Sequence, residues 1–478
     1  MGCIVSENIA KNKNQFSEIE ESEKYLKVFK LACLLHDLGH APFSHTGEDY
    51  YLDNGERKYL HNTIIKLTND KDLDEEIKSK NYKAAPHELM SVIVALKDYG
   101  FLFENDEEKS FFARCIIGYL YVKKADLKHS FLNCIISLLN SSVIDVDKLD
   151  YLTRDAYITG FDTVSIDYMR IIKSIKLKRK GKEYQVVYTK SALSVIENVV
   201  YAHDVECKWI QNHPVVQYGA YLLQRAIEEL KNKYTSINLF SYEALTEKGV
   251  EIFKNYKITL LCDADIIFLM KNLDNDFEKE YFQRKDRRHP LWKSEAEYKA
   301  IFDVGYKDKI FEIIENGLES LCKYLNFVCK SQEINENALN ACENDIIAAQ
   351  NFLENMTTGK ENMEATIVEK KKHLQWLKAL KIFAKEQDIA FDFVILKAKQ
   401  FNSGFAKDAF AKIQIEFDML KRTKYFGEVT NTLKAEKSSR EKFFYLFYRR
   451  TDKKIKIDSR NLAVKLGNIA MQEEFYES

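Results

Sequence analysis

Between Lys24 and Leu38 apolar side chains recur at 25, 28, 29, 31, 34 and 35, the period of a helix that buries one face. Gly39 and Pro42 then stop it, so the pattern places His36 and Asp37 in the last turn and the following histidines on the turn beyond. The same period recurs at 86–98, 108–122, 130–156 and 191–232, and further helices are expected over 244–386, with breaks near Pro290 and at Met356 to Gly359. Alternation around Gly181 in SIKLKRKGKEYQVVYTK predicts a hairpin. After about residue 387 the period changes, and FDFVILK, KIQIEFDML, FFYLFYRR and IKI read as strands of a smaller α+β region.

Only 4 prolines and 16 glycines interrupt 478 residues, which agrees with a mainly α fold. A formal charge of −1 provides no global field for nucleic acid or an anionic membrane, so a charged ligand must meet a local patch. Nine cysteines, without a C-x-x-C pair, read as reduced, buried thiols. No apolar run reaches the roughly 18–20 residues that cross a bilayer, and the N-terminus lacks a signal-peptide succession, so a cytoplasmic location is expected.

The chemistry concentrates in HDLGHAPFSHTGE, His36 to Glu48, which holds three histidines and two acids. His36 and Asp37 offer a nitrogen and an oxygen to a divalent metal, but two ligands hold an ion poorly. SSVIDVDKLDYLTRDAY, 141–157, supplies acids at 145, 147, 150 and 155, and counting from Asp147 puts Tyr151 and Asp155 on the same helix face, with Lys148 beside the first. Singly, either stretch is ordinary: HD pairs are common, and acid-rich helices are usually solvated.

Together, H-D-L-G-H-x-P-F-S-H followed about a hundred residues later by D-V-D-K-L-D-Y-L-x-R-D resembles the HD-superfamily phosphohydrolases, in particular the deoxynucleoside triphosphate triphosphohydrolases. The likeness covers about residues 1–300, with a weaker likeness in the C-terminal α+β region. It implies an HD-domain helical core over 1–165 carrying the metal site, a helical substrate-closing region with the small hairpin over 166–330, and a helical hairpin with the α+β region over 331–478, regulatory or oligomerising.

The resemblance further implies that His36, Asp37 and Asp147 ligate a divalent ion, with manganese, magnesium, iron, nickel and zinc all open. Lys148 would contact phosphate, and Tyr151 and Asp155 would line the sugar. His40 and His45 match active-site histidines, Glu48 a carboxylate that orients His45, and His87 of APHELMS a histidine over the phosphates; alone, His87 reads as a surface residue at a helix start. Lys190, Tyr201 and His203 fall in a segment that closes over the nucleotide. Arg284, Arg287 and Arg288 form a basic cluster, a solvated loop or an effector site.

One feature departs from the family pattern: its R-x-x-H-S-x-G histidine has no counterpart before His36. We expect that ligand upstream of Met1, at an internal or trimmed start; genuine loss, leaving an impaired nucleotide-binding regulator, is the competing expectation. The leading expectation is a homo-oligomeric hydrolase of deoxynucleoside triphosphates, and the other enzymatic reading is a related phosphohydrolase on another nucleotide or a nucleic-acid end. Near-neutral charge and the lack of an aromatic-interleaved basic stripe weigh against a polynucleotide.

Overall fold

The computed structural model describes residues 1–51, 54–79, 84–122, 126–141, 143–161, 165–234, 239–241, 243–253, 256–273, 275–302, 308–328, 367–398, 408–420, 422–430, 443–450 and 457–477. It is mainly helical with small sheets, as expected. The strands are β1 (Ile175–Lys180), β2 (Glu183–Thr189), β3 (Val250–Phe253), β4 (Tyr256–Ile258), β5 (His289–Pro290), β6 (Phe393–Ala398), β7 (Gln414–Phe417), β8 (Arg422–Tyr425) and β9 (Phe443–Tyr448). Two compact units result, one comprising Met1–Lys208, Leu223–Asp274 and Asn402–Lys437, the other Trp209–Leu222, Asn275–Phe401 and Ser438–Ser478.

The first unit is built on α1 (Gly2–Lys11), α2 (Ser22–Leu35), α3 (Pro86–Asp98), α4 (Asp106–Ile117), α5 (Leu127–Leu139), α6 (Val146–Thr159) and α7 (Leu193–Val205). The helix period is answered by packing: α2 lies against α1, α4 and α5, and α3 against α4. Phe29, Ala32, Leu89, Val92, Phe111, Phe112, Phe131 and Ile135 are fully buried between them.

The stretch expected as one helix over 130–156 is two, because Asn140 and Asp145 interrupt it. Asn140 Nδ2 donates to the Ile116 carbonyl (2.7 Å) and to Glu88 Oε1 (2.9 Å), and Asp145 caps α6 by accepting from the Lys148 N–H. Asp145 therefore precedes the helix that carries Asp147.

The predicted hairpin forms with Gly181 at φ 65°, but it is not isolated. β2 pairs in parallel with β7, which pairs with β8, giving a four-stranded sheet in the order β1-β2-β7-β8. The β3–β4 hairpin lies where only helices were expected.

In the second unit β9 runs between β5 and β6. All six residues of FFYLFY are buried, the continuous apolar run of a strand covered on both faces. Helices at Asp308–Val328, Ile367–Glu386 and Ser459–Glu477 complete this unit, the last just after the final strand the sequence pattern predicted; IKI, the break at 356–359, Cys329 and Cys342 lie wholly or largely outside the described residues. Of the arginine cluster, Arg288 is buried, donating to Glu280 Oε2 (2.7 Å) and Asp392 Oδ1 (2.6 Å), while Arg284 is exposed. Cys115 and Cys134 are buried as expected, whereas Cys3 and Cys262 are exposed.

Arg114, fully buried in the first unit, donates from Nη1 to Glu76 Oε2 (2.8 Å) and from Nε to Asp70 Oδ2 (3.0 Å), and lies 4.2 Å from the centre of the Tyr121 ring. Removing one partner of such a set strands buried charge. Arg114→Ala is predicted to destabilise the chain by about 3–5 kcal/mol, read as a lowered denaturant midpoint, and Tyr59→Ala, at an exposed site, to leave that midpoint nearly unchanged.

Candidate active site

Helix α2 ends at Leu35 with His36 at its C-cap, one turn earlier than the sequence pattern placed it. His36 Nδ1 lies 3.0 Å from the Cys33 carbonyl, which fixes the ring as an Nδ1 donor and leaves Nε2 facing outward. Nε2 is 3.3 Å from Asp147 Oδ1 and 3.4 Å from Asp37 Oδ1. Burial pulls the His36 imidazole down, and Asp147, then Asp37, outweigh it and hold it above its ordinary value. Asp147 is pushed up by burial and pulled further down by His36, ending below the usual carboxylate range.

These three residues fit a divalent metal. One ligand atom from each lies within 4.8 Å of the others, the Cys33 carbonyl fixes the histidine tautomer, and Asp37 is half exposed, leaving an open side for solvent or substrate.

The turn after Asp37 is pressed against α3. A Cβ on Gly39 would stand 2.2 Å from the Ser91 nitrogen and 2.4 Å from the His87 carbonyl, so no other residue fits there without shifting backbone. Gly39 N–H donates to Ser91 Oγ at 2.8 Å. Phe43 and Ser44 take left-handed conformations, at φ 63° and 50°, which fold the chain back so that His40, His45 and His87 meet. His40 stacks on His87 with centroids 4.1 Å apart, and His45 stands edge-on to both.

Glu48, 7 % exposed, lies beneath this trio. Its Oε1 accepts from the His87 backbone N–H at 2.6 Å and is 2.8 Å from His87 Nδ1, while Oε2 is 3.3 Å from His45 Nδ1. Burial pushes the Glu48 carboxyl up; hydrogen bonds from His45, then His87, overcome this and hold it well below the usual carboxylate range. His40 is lowered, first by burial and then by the charge of His87, against the pull of Asp37. Asp37 lies between the two groups, 3.6 Å from His40 Nε2.

On α6, Tyr151 and Asp155 follow Asp147 at +4 and +8. Burial, then the charges of Asp145 and Cys207, raise the Tyr151 phenol, so Cys207 lies near it, and His203 Nε2 is 3.7 Å from Cys207 Sγ. The Lys148 ammonium is bonded to the Ser141 carbonyl (2.6 Å) and to Asp145, within the cap of α6. Lys190 is exposed and Tyr201 half exposed, and among the described residues neither makes a hydrogen bond to the histidine–carboxylate groups. Sequence reasoning missed Ser91 and Asn140, although Ser91, four residues after His87, shares its helix face.

No family model matches the chain. It is 26 % identical over 334 residues, 68 % of this chain and 64 % of the relative, to the uncharacterized protein MG461 homolog of Mycoplasma pneumoniae. It is 28 % identical over 197 residues, 39 % of this chain and 32 % of the relative, to the deoxynucleoside triphosphate triphosphohydrolase SAMHD1 homolog of Dictyostelium discoideum. These similarities, with the His36, Asp37 and Asp147 grouping, support an HD-type phosphohydrolase. The chain thus spans between about a third and two thirds of the length of these curated relatives. A solved phosphohydrolase from Bacteroides thetaiotaomicron aligns over 94 % of this chain and 85 % of its own at 16 % identity and TM-score 0.48. No described helix is long and apolar enough to cross a membrane.

A carboxylate with a depressed native pKa stabilises the fold above its unfolded value, about 4.3 for Glu, and that contribution is lost as pH falls through the native value. Glu48→Gln is therefore predicted to lower Tm near neutrality, with the gap to wild type closing in acid; calorimetry across the acid range checks it.

Proposed function

We propose that this phosphohydrolase cleaves deoxynucleoside triphosphates to deoxynucleoside and inorganic triphosphate. The observation that carries this reading is the junction at Asp37, where a metal-ligand group meets three histidines anchored on one buried carboxylate. An ion held by His36, Asp37 and Asp147 would supply Lewis-acid polarisation of the phosphate.

The remaining chemistry belongs to side chains. Departure of the nucleoside 5′-oxygen requires a proton. His45 supplies it from Nε2, because Glu48 holds Nδ1 and stabilises the protonated ring. His40, held below its ordinary value first by burial and then by the charge of His87, orients phosphate with His87. Tyr151 and Asp155 line the sugar, Asp155 accepting from its 3′-hydroxyl. Lys148 reaches phosphate only by leaving Ser141 and Asp145, so its role is to balance charge near Asp147. Lys190, Tyr201 and His203 form the closing side, and the assembly is a homo-oligomer.

The test is triphosphate release from each of the four deoxynucleoside triphosphates with manganese or magnesium. Release is expected, with Asp147→Ala abolishing it and His45→Asn lowering kcat by about 10²–10⁴ at nearly unchanged KM. A metal-loaded, folded chain that releases triphosphate from none of the four contradicts the reading.

A further inference from the structure

His45 is the most exposed of the three histidines, its side chain 72 % open to solvent against 12 % for His87. Glu48 takes the His87 backbone N–H at 2.6 Å and lies 2.8 Å from His87 Nδ1, but its other oxygen stands 3.3 Å from His45 Nδ1, at the long end of a hydrogen bond. Packing does little to aim this ring, so the backbone beneath it decides where the ring stands.

That backbone is the short 3₁₀ turn Ser44–Thr46, entered through Phe43 and Ser44 at φ 63° and 50°. Left-handed conformations cost a phenylalanine or a serine free energy that a glycine would not lose, and they persist only where other contacts hold them. Within the turn, Ser44 N–H donates to the Ala41 carbonyl (2.9 Å), Thr46 N–H to the Phe43 carbonyl (3.1 Å) and Gly47 N–H to the Ser44 carbonyl (3.1 Å). These bonds close the turn but travel with it. The Phe43 N–H instead leaves the turn and donates to Asp263 Oδ1, 220 residues away, at 2.9 Å.

Asp263 belongs to the same compact unit and is firmly mounted. It opens the helix Asp263–Met270, which buries Ile266 and Leu269. Just before it, Cys262 N–H donates to Asp265 Oδ2 (2.9 Å), Leu261 N–H to the Ala244 carbonyl (3.0 Å) and Leu260 N–H to the Thr246 carbonyl (3.1 Å). The Asp263 side chain is exposed, and a carboxylate acceptor makes a stronger bond than a neutral one. Its bond to Phe43 is therefore of the size needed to offset the left-handed entry to the turn.

We propose that Asp263 is a positioning residue for His45. Its carboxylate holds the Phe43 amide, fixes the left-handed entry to the turn, and so keeps His45 Nδ1 against Glu48 and leaves Nε2 for the departing 5′-oxygen. That last role rests on the function proposed above, whereas the positioning of the ring stands without it.

The experiment compares Asp263→Ala with Asp263→Asn in the full chain. Both remove the charge at the start of the helix, but asparagine keeps a carbonyl oxygen for the Phe43 N–H, and at an exposed position both are expected to fold. The ring-proton magnetic resonance of His45, identified by its loss in His45→Asn, is expected to move in Asp263→Ala and to return toward its wild-type position in Asp263→Asn. The His129 resonance, with Nδ1 2.7 Å from Asp126, is expected to stay in place in both. Triphosphate release is expected to show kcat lowered about tenfold to a hundredfold in Asp263→Ala at nearly unchanged KM, and largely restored in Asp263→Asn. In a Phe43→Gly background, where the left-handed entry needs no bond to hold it, Asp263→Ala is expected to leave the His45 resonance near its wild-type position; this pair of variants serves if Asp263→Ala alone fails to fold. An unmoved His45 resonance in folded Asp263→Ala, an equal movement in Asp263→Asn, or an undiminished movement in the Phe43→Gly background overturns the proposal. The resonance does not depend on triphosphate release, so failure of that activity bears only on the function proposed above.

Discussion

The buried carboxylate of Glu48 is the contact on which the candidate site depends. It joins two segments that the chain separates by 39 residues, accepting from the His87 backbone as well as lying against two imidazoles. An unpaired carboxylate this deeply buried would cost several kcal/mol, so its charge and the Nδ1 donors of His45 and His87 require one another. One consequence is chemical: with both Nδ1 atoms occupied, both Nε2 atoms are left for a ligand. Another is architectural, because α3 cannot move relative to the His36–Glu48 turn without breaking these bonds and the Gly39–Ser91 contact.

The candidate metal group, His36, Asp37 and Asp147, is set differently, from three places. His36 is presented by the end of α2 and held by its own helix through the Cys33 carbonyl; Asp37 follows it; Asp147 arrives on α6 because Asp145 starts that helix two residues earlier. The Asn140 bonds to Glu88 and Ile116 tie the segment before α6 back to α3 and α4. Both halves of the site thus lean on α3, one through Glu48 and the other through Glu88.

Much of this was legible in the sequence because it is local. The helix at 86–98 has the limits its apolar period predicted, the hairpin turns at Gly181, and the spacing of Asp147, Tyr151 and Asp155 is a helix face. What failed was non-local or competitive. Nothing near β2 announces a partner at Gln414–Phe417, and the C-terminal helix at Ser459–Glu477 was obscured by the strand-like run before it. The break before α6 could have been found, since Asp145 three residues ahead of Lys148 is an N-cap pattern that apolar periodicity alone overrode. Ser91 was not recoverable, because its role exists only where Gly39 lets the turn approach.

The most direct measurement is anomalous diffraction from crystals of the full chain grown with manganese. The account predicts a peak within bonding distance of His36 Nε2 and of carboxylate oxygens of Asp37 and Asp147, lost in Asp147→Ala. A well-occupied ion elsewhere, with these three side chains unchanged and without density between them, would contradict it.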